Sequence, residues 1–223
     1  MTIVVVANQK GGTGKTTTSV NLAHHLKANI IVDLDIHKGI SNINSLSSNP
    51  VEILQPKTQN ELISILEMDN DGSMIIIDCG GYDGDMIRIV LANADFIITP
   101  SSDDPTEQFA LSEYNKVLRE ISKSAGTRVT ANVLINRVHP SRTAFIDFVS
   151  LINNLEHVQL LPVQIPQSAL ITKAMFQGGA VKSGTVAAKY KLLAEHIKKH
   201  TSTHKGTHDD THNSVQLECR GDA

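Results

Sequence analysis

The chain has no tryptophan, and aromatic residues make up only 4% of its 223 residues. So few rings argue against an aromatic stacking platform for single-stranded nucleic acid. No apolar run approaches the ~20 residues of a membrane span, and no secretory signal precedes the first strand-like run. The two cysteines, Cys79 and Cys219, match neither a metal-ligand motif nor a disulfide framework. These absences predict a cytoplasmic protein with no membrane partner.

Neither sign of charge dominates, because the formal net charge is only −3. That balance argues against a protein that coats DNA with its whole surface. The charge is nevertheless uneven: residues 1–136 carry a net of −6, whereas residues 137–199 carry eight basic and three acidic residues, a net of +5. A basic segment of this kind is either a phosphate-contacting surface or a solvated helix face, and charge alone leaves both open.

Short runs rich in valine and isoleucine alternate with longer amphipathic segments. The predicted strands are 3–8, 30–35, 74–79, 95–100, 129–136 and 158–163. The predicted helices are 15–28, 59–68, 84–93, 105–124, 141–155, 168–177 and 184–199. Runs that are apolar throughout are typical of strands buried on both faces. The pattern predicts a single α/β domain over residues 1–199, with a mostly parallel sheet flanked by helices and ligands at the carboxyl ends of the strands.

The remaining segment, 200–223, is polar and has almost no core-forming residues, so we expect a poorly ordered tail. Histidines recur every four residues from just before this segment into it, at His196, His200, His204, His208 and His212. On a helix, neighbouring pairs with this spacing bind transition metals in some proteins. Gly206 and several threonines weaken such a helix, and a solvated tail is the simpler interpretation.

A glycine-rich loop follows the first strand, in the stretch "NQKGGTGKTTTS" from residue 8 to 19. It lacks the first glycine of the pattern G-x-x-x-x-G-K-[ST], because that position holds Gln9. A strand before the loop and a helix after it are nevertheless the context that a P-loop requires. Backbone N–H groups of the loop and the helix N-terminus would bind phosphates. The residues predicted to bind nucleotide are Gly11, Gly12, Thr13, Gly14, Lys15, Thr16 and Thr17.

Within this loop, Lys15 is predicted to contact the β- and γ-phosphates, and the Thr16 hydroxyl to ligate Mg²⁺. Acidic residues end two of the other strands. Asp78 stands where a Walker B aspartate holds the metal directly or through water, and Asp33 and Asp35 share one face of a strand. One of these two carboxylates would orient the attacking water. ATP and Mg²⁺ are therefore the expected cofactors.

These motifs together resemble the ParA/MinD superfamily of deviant Walker ATPases, and within it the small ParA-type, ParF-like plasmid partition ATPases. The family's loop, K-G-G-x-G-K-[ST]-[ST], is complete here from Lys10 to Thr17. "VDLDIHKGIS" is similar to its first switch segment, although Ile36-His37 replaces the usual Pro-Gln. "IIIDCGG" is similar to its Walker B and second switch, and the similar segments extend across nearly all of residues 1–199.

The resemblance implies a homodimer that forms around ATP, in which Lys10 reaches the phosphates bound by the partner subunit. It implies a slow, Mg²⁺-dependent ATPase in which Lys10, Lys15 and Asp35 are catalytic and Asp35 positions water. It also implies that Asn136, in "VLINRV", contacts adenine and that Pro166 lies in the loop on the adenine side.

The function that this resemblance implies is DNA segregation. Such an ATPase binds non-specific DNA on the nucleoid as a dimer and is released when a centromere-binding adaptor protein stimulates hydrolysis. The candidate DNA contacts are Arg142, Lys173 and Lys182. Three alternatives stay open: a MinD-like spatial regulator, a metabolic ATP-dependent ligase of the same fold, and a nucleotide-binding regulator with little hydrolysis. The polar end of the chain argues against the first, and Lys10 argues against the second.

Overall fold

The structure is a computed structural model that describes residues 1–68 and 72–205, with the backbone alone for residues 203–205. In this part of the chain, seven strands form one sheet in which every pairing is parallel. The strands are β1 (Thr2–Val6), β2 (Ile30–Leu34), β3 (Ile53–Leu54), β4 (Met74–Cys79), β5 (Phe96–Ser101), β6 (Ala131–Val138) and β7 (Val158–Pro166). Their order across the sheet is β3-β2-β4-β1-β5-β6-β7. The predicted α/β class and mostly parallel sheet are confirmed.

Eight helices connect and flank the strands within the described residues. They are α1 (Lys15–Leu26), α2 (Gly39–Asn44), α3 (Gln59–Leu66), α4 (Asp85–Ala92), α5 (Pro105–Ala125), α6 (Ile146–Asn153), α7 (Ala169–Phe176) and α8 (Gly184–Lys205). None of the helices described is long and apolar enough to cross a membrane.

The core has two halves, one on each face of the sheet. Successive residues of β1 alternate between them, since Val5 packs with helices α3 to α6 while Val4 and Val6 pack with α1 and α8. This is the two-residue period of a strand. Because both faces are covered, both sets of side chains are apolar, which explains the unbroken valine and isoleucine runs of the sequence.

The 21-residue helix α5 begins and ends at residues with clear capping chemistry. Pro105 is its first residue, and the Asp104 carboxylate accepts a hydrogen bond of 2.8 Å from the Thr106 N–H. Proline suits the first helical position because that N–H has no partner inside the helix, and an aspartate N-cap satisfies another such N–H. At the other end, Gly126 adopts φ 67°, a conformation that glycine takes with little strain.

Two short elements were not predicted from the sequence, α2 and β3. The helix α2 starts with Gly39, after the left-handed Lys38, and has no side-chain N-cap of its own. Its first turn is held instead by Asp33, which accepts hydrogen bonds from the Ser41 N–H (3.2 Å) and hydroxyl (2.6 Å). A helix stabilised by a carboxylate of a neighbouring strand has no local sequence signal.

Two predicted helix limits also need correction. The predicted helix 141–155 begins only at Ile146, because residues 139–142 form a turn closed by the Arg142 N–H on the His139 carbonyl oxygen. The last helix continues past residue 199 to Lys205, so the first residues assigned to a poorly ordered tail are helical. Residues 206–223, including His208, His212 and Cys219, lie outside the described part of the chain.

Candidate nucleotide site

The glycine-rich loop joins β1 to α1 at the carboxyl edge of the sheet. Gly12 and Gly14 have φ values of 77° and 95°, which L side chains rarely adopt. No described atom lies within 4 Å of a Cβ built on Gly11 or Gly12, so the loop borders open space. That space is a cavity of about 580 Å³, lined by Gly11, Gly12, Gly14, Lys15, Thr16, Thr17, Asp35, Ile36, His37, Gly81, Tyr82 and Arg137. Because a glycine-rich loop and a helix N-terminus offer backbone N–H groups to anions, a cavity lined by them suits phosphate groups.

Lys15, the first residue of α1, is buried in this loop. Its ammonium donates a hydrogen bond of 2.9 Å to the Lys10 carbonyl oxygen, which holds the loop around it. Burial lowers the pKa of Lys15, and the negative charges of Asp78 and Asp35 partly oppose the shift. A desolvated ammonium at the positive end of a helix has few partners and would be stabilised by phosphate oxygens.

Asp78 lies near the end of β4, fully buried beside α1. Its Oδ1 accepts a hydrogen bond of 2.7 Å from the Ser19 hydroxyl, whereas its Oδ2 is buried with no hydrogen-bond partner in the described residues. Burial raises the pKa of Asp78 to about 7, and hydroxyl groups of Ser19 and Thr16 partly oppose the shift. An oxygen left without a donor fits a cation, and Asp78 and the Thr16 hydroxyl are oxygen donors of the kind that Mg²⁺ prefers.

The raised pKa of Asp78 predicts a pH-dependent stability for the nucleotide-free protein. The folded state holds this proton up to about pH 7, whereas an unfolded aspartate loses it near pH 4. The contribution of this carboxyl group to folding stability is therefore fully present below about pH 4. It decreases as the pH rises from about 4 to about 7, because the unfolded state loses the proton first. We expect Asp78→Asn to gain thermal stability relative to wild type between pH 5 and pH 8, measured by thermal melts without Mg²⁺ or nucleotide.

The control for this experiment is Glu113→Gln, which removes one charge from an exposed pair with Lys116. That variant should follow wild type across the same pH range, because exposed pairs contribute little to stability. If the melting temperatures of Asp78→Asn and wild type changed with pH in the same way, the assigned environment of Asp78 would be contradicted.

Asp33 and Asp35 have different surroundings, although they were predicted together. Asp33 is buried, and its oxygens accept hydrogen bonds from the Ser41 N–H and hydroxyl and from the Asp35 N–H. Asp35 is half-buried and lines the cavity, and its Oδ1 accepts a hydrogen bond of 2.9 Å from the His37 N–H. Asp33 therefore organises the loop after β2, while Asp35 is the one of the two carboxylates that lines the cavity.

The loop after β2 also touches the phosphate-binding helix. A Cβ built on Gly39 would lie 2.9 Å from the Thr16 hydroxyl oxygen. A side chain at position 39 would therefore force the Thr16 side chain to move. The start of α2 and Thr16 are thus in close contact.

Lys10 differs from Lys15 in where its charge lies. Its N–H donates to the Asn8 side chain at 2.9 Å, but its ammonium is at hydrogen-bond distance of the Thr106 hydroxyl at the start of α5. Hydrogen bonds from Thr106 hold the pKa of Asp104 below its ordinary value, and the charge of Lys10 contributes further. The ammonium of Lys10 thus lies outside the cavity that holds Lys15.

Asn136 and Pro166 lie close together, at the carboxyl ends of β6 and β7. Asn136 is buried, and its amide donates a hydrogen bond of 2.9 Å to the Thr13 carbonyl oxygen. Pro166 pairs with Val138 in the sheet register. Asn136 thereby fixes the P-loop from the side, a structural contact that the sequence did not indicate. Contact of either residue with adenine stays a prediction.

The three candidate DNA contacts do not form one cluster. Lys173 and Lys182 are exposed and line one cavity of about 260 Å³ between α7 and α8. Arg142 lies apart from them, in the loop before α6, where its guanidinium pairs with Asp103 and lies 5.5 Å from the centroid of the Phe145 ring.

Three further side chains noted in the sequence, Cys79, His196 and His200, pack against other parts of the fold. Cys79 is buried in the core, and burial raises the pKa of its thiol, which keeps it unreactive. The rings of His196 and His200 lie 4.4 Å apart beside Phe96. No group of three or more His, Cys, Asp or Glu side chains is placed to hold a metal ion among the described residues. The later histidines of the pattern lie outside the described side chains.

Sequence reasoning missed several residues that shape the site: Ser19, Ser41, Thr106 and Arg137. Ser19 had a detectable signal, because it follows Lys15 by one helical turn and so shares its face. Ser41 and Thr106 had none, since their partners Asp33 and Lys10 lie on other elements. Only the packing of the chain brings these groups together.

A parallel sheet with a glycine loop between β1 and α1 and an aspartate at the end of the adjacent strand defines the P-loop class of nucleotide-binding proteins. A family model described as the CobQ/CobB/MinD/ParA nucleotide binding domain matches residues 4–181, and the chain belongs to this family. The resemblance noted in the sequence is therefore confirmed at the level of the family.

Curated and solved relatives agree with this assignment. Protein ParA of Rhizobium radiobacter is 25% identical over 149 residues, which is 63% of this chain and 67% of the relative. The ATP complex of a McdA variant from Cyanothece has a TM-score of 0.66 at 17% identity, over 91% of this chain and 96% of that one. MinD from Pyrococcus horikoshii OT3, complexed with Mg-ADP, has a TM-score of 0.65 at 17% identity, over 89% and 96%. Identities this low show a common fold and no more.

Proposed function

We propose that this chain is an ATP-dependent DNA-segregation ATPase that dimerises around Mg-ATP and binds non-specific DNA as the dimer. Stimulation of hydrolysis by a DNA-bound adaptor protein would release it. The ATP complex of the McdA variant and the Mg-ADP complex of MinD support the choice of nucleotide and metal. Within residues 1–199, taken as the ATPase domain, Thr16 and Asp78 would hold the Mg²⁺.

One observation carries the proposal: the two lysines of the loop direct their charges to different places. Lys15 is buried at the phosphate cradle, while the ammonium of Lys10 lies outside the cavity, at Thr106. A cation beside the cradle but outside it is available to a second nucleotide. In a dimer that encloses two ATP molecules, Lys10 of the partner subunit would stabilise charge on the phosphates, as an arginine finger does in other NTPases.

The surface around the cavity suits a face that a second subunit covers. Three large apolar side chains are exposed near this edge of the sheet, namely Ile36 (70% exposed), Tyr82 (41%) and Phe109 (75%). Ile36 and Tyr82 line the cavity, and Phe109 belongs to α5, the helix whose Thr106 contacts Lys10. Exposed apolar side chains beside a binding site commonly mark an interaction surface.

Hydrolysis would use Asp35 to position the attacking water, because its carboxylate faces the cavity while Asp33 is fully engaged. The Mg²⁺ would neutralise charge on the phosphates. Loss of the terminal phosphate would remove the ligand shared by Lys15 and the partner's Lys10, and the dimer would loosen.

DNA binding is tested by retention of the protein on non-specific duplex DNA with ATP or ADP over a salt series. We expect ATP-dependent retention that weakens steeply with salt, because binding through phosphate contacts releases counterions. Replacing both Lys173 and Lys182 with alanine should reduce retention and flatten the salt dependence. Replacing Lys116, which pairs with Glu113 on the outer face of α5, should change neither.

The Asp35→Ala variant provides a second arm of the same assay. It should be retained with ATP while releasing no phosphate, because it forms the dimer but cannot position water. No ATP-dependent retention of wild type at low salt would overturn DNA binding. Recovery of the protein on anionic vesicles instead of DNA would favour the MinD-like alternative.

A further inference from the structure

The loop between β4 and α4, residues 80–84, forms one wall of the candidate nucleotide cavity. A Cβ built on Gly81 would lie 3.3 Å from the backbone nitrogen of Gly11, and one built on Gly80 would lie 3.5 Å from the Cα of Asp35. The loop therefore packs on the backbone of the P-loop and beside the end of β2. Because Gly81 and Asp35 both line the cavity, a movement of this loop would change the cavity next to that carboxylate.

This loop has little stiffness of its own. Three of its five residues are glycine, at 80, 81 and 84, and glycine has more conformational freedom to lose than any other residue. The ring of Tyr82 folds back between two of them, since a Cβ built on Gly80 or Gly84 would lie 2.8 Å from a ring carbon. That contact is internal to the loop. It does not fix the loop to the rest of the fold.

Arg88, near the start of α4, supplies a contact from outside the loop. Its guanidinium donates hydrogen bonds of 2.8 Å and 2.5 Å to the two carboxylate oxygens of Asp83. It also donates a hydrogen bond of 3.1 Å to Glu120 on α5. Most exposed ion pairs contribute little, but a bidentate arginine within a network of charges is the geometry in which they matter. Arg88 thus ties the loop to α5.

The helix α5 is a firm support for such a contact. Leu111 and Leu118, two turns apart on this helix, are fully buried in the core. At the start of the same helix, Thr106 contacts the ammonium of Lys10. The loop 80–84 and the P-loop lysine are therefore both tied to one element that the core holds in place.

We propose that Arg88 is a positioning residue for ATP hydrolysis, which holds the loop 80–84 against the P-loop by binding Asp83 and Glu120 together. This inference rests on the proposed ATPase function and adds a residue outside the cavity that sets the rate of the chemical step. A displacement of about 1 Å can cost on the order of 100-fold in rate, because water and catalytic groups then no longer meet in the reactive geometry. Phosphate binding should not need this contact, since α1 places Lys15.

The first test is turnover by Arg88→Gln, which removes the guanidinium and keeps a polar side chain. Single-turnover phosphate release at saturating Mg-ATP should fall by about 10- to 100-fold, while ATP affinity by isothermal titration and the melting temperature stay close to wild type. The matched control is Arg119→Gln, which breaks an exposed pair between α5 and Glu156 and should keep the wild-type rate. Wild-type turnover in Arg88→Gln, or a loss of turnover that a loss of ATP affinity explains, would overturn the positioning role.

The second test measures the loop itself by tyrosine fluorescence, since the chain has three tyrosines and no tryptophan. Tyr114 and Tyr190 are buried whereas Tyr82 is 41% exposed, so acrylamide quenches Tyr82 preferentially. Without nucleotide, Arg88→Gln should increase this quenching, Arg119→Gln should not, and Tyr82→Phe should remove the quenchable part. Unchanged quenching in Arg88→Gln would show that Arg88 does not hold the loop.

A double variant separates the ion pair from other effects of the arginine. If Arg88 acts through Asp83, then Arg88→Gln combined with Asp83→Asn should hydrolyse ATP no more slowly than Arg88→Gln alone. Additive losses would overturn the pair as the cause. If wild type hydrolyses ATP and Arg88→Gln does so equally well, this inference fails while the proposed function stands. If wild type hydrolyses no ATP, both fail.

Discussion

Lys15→Ala is expected to abolish ATP binding, with a loss of affinity on the order of 100-fold or more. The estimate corresponds to losing two charge-assisted hydrogen bonds, each worth about 1.5–3 kcal/mol. The ammonium of Lys15 is desolvated at the N-terminus of α1, and within the described residues it donates one hydrogen bond, to the Lys10 carbonyl oxygen. Phosphate oxygens would supply the remaining partners of that ammonium. Isothermal titration with Mg-ATP measures the loss directly.

The lost affinity has to be separated from a damaged fold. Lys15→Met keeps most of the buried stem and removes only the charge, so it should lose ATP affinity as fully as Lys15→Ala. Because burial lowers the pKa of Lys15, the charged form is disfavoured by folding, and neither variant should melt far below wild type without nucleotide. Affinity within tenfold of wild type in both variants would refute the site.

Lys10→Ala is expected to leave ATP binding by the monomer largely intact and to prevent both ATP-dependent dimerisation and turnover. The ammonium of Lys10 lies outside the cavity of its own subunit, so a monomer should not need it. A cation that stabilises the transition state from a partner subunit is worth about 10³–10⁵ in rate in other NTPases. Light scattering with ATP against ADP measures the dimer, and phosphate release measures turnover.

Thr106→Ala is the matched control, because it removes the contact of the Lys10 ammonium within the monomer but keeps the lysine. It should dimerise with ATP as wild type does. Unchanged ATP-dependent dimers and normal turnover in Lys10→Ala would show that the proposed role of Lys10 is wrong. Loss of dimers in Thr106→Ala alone would assign the interface to the start of α5 instead of to the lysine.

Much of the fold could be read from local patterns, because each pattern has a local physical cause. Strands buried on both faces require unbroken apolar runs such as "IVVVAN" and "MIIID", and these predicted β1 and β4. The P-loop was recognisable despite Gln9, since the turn needs glycine at Gly12 and Gly14, where φ is positive. The short elements α2 and β3 have no such local pattern, and the sequence did not predict them.

The sequence by itself determined the class of fold, the position of the phosphate-binding loop and the acidic residues at the ends of neighbouring strands. Only the tertiary structure decided how these groups differ. It placed Lys15 inside the phosphate cradle and the ammonium of Lys10 outside it. It paired Asp33 with Ser41 and left Asp35 at the cavity. It also joined Asn136 to Thr13 across 123 positions of the chain. The physical reason is that a parallel sheet brings together strand ends far apart in sequence, so these partners are chosen by packing and leave no local signal.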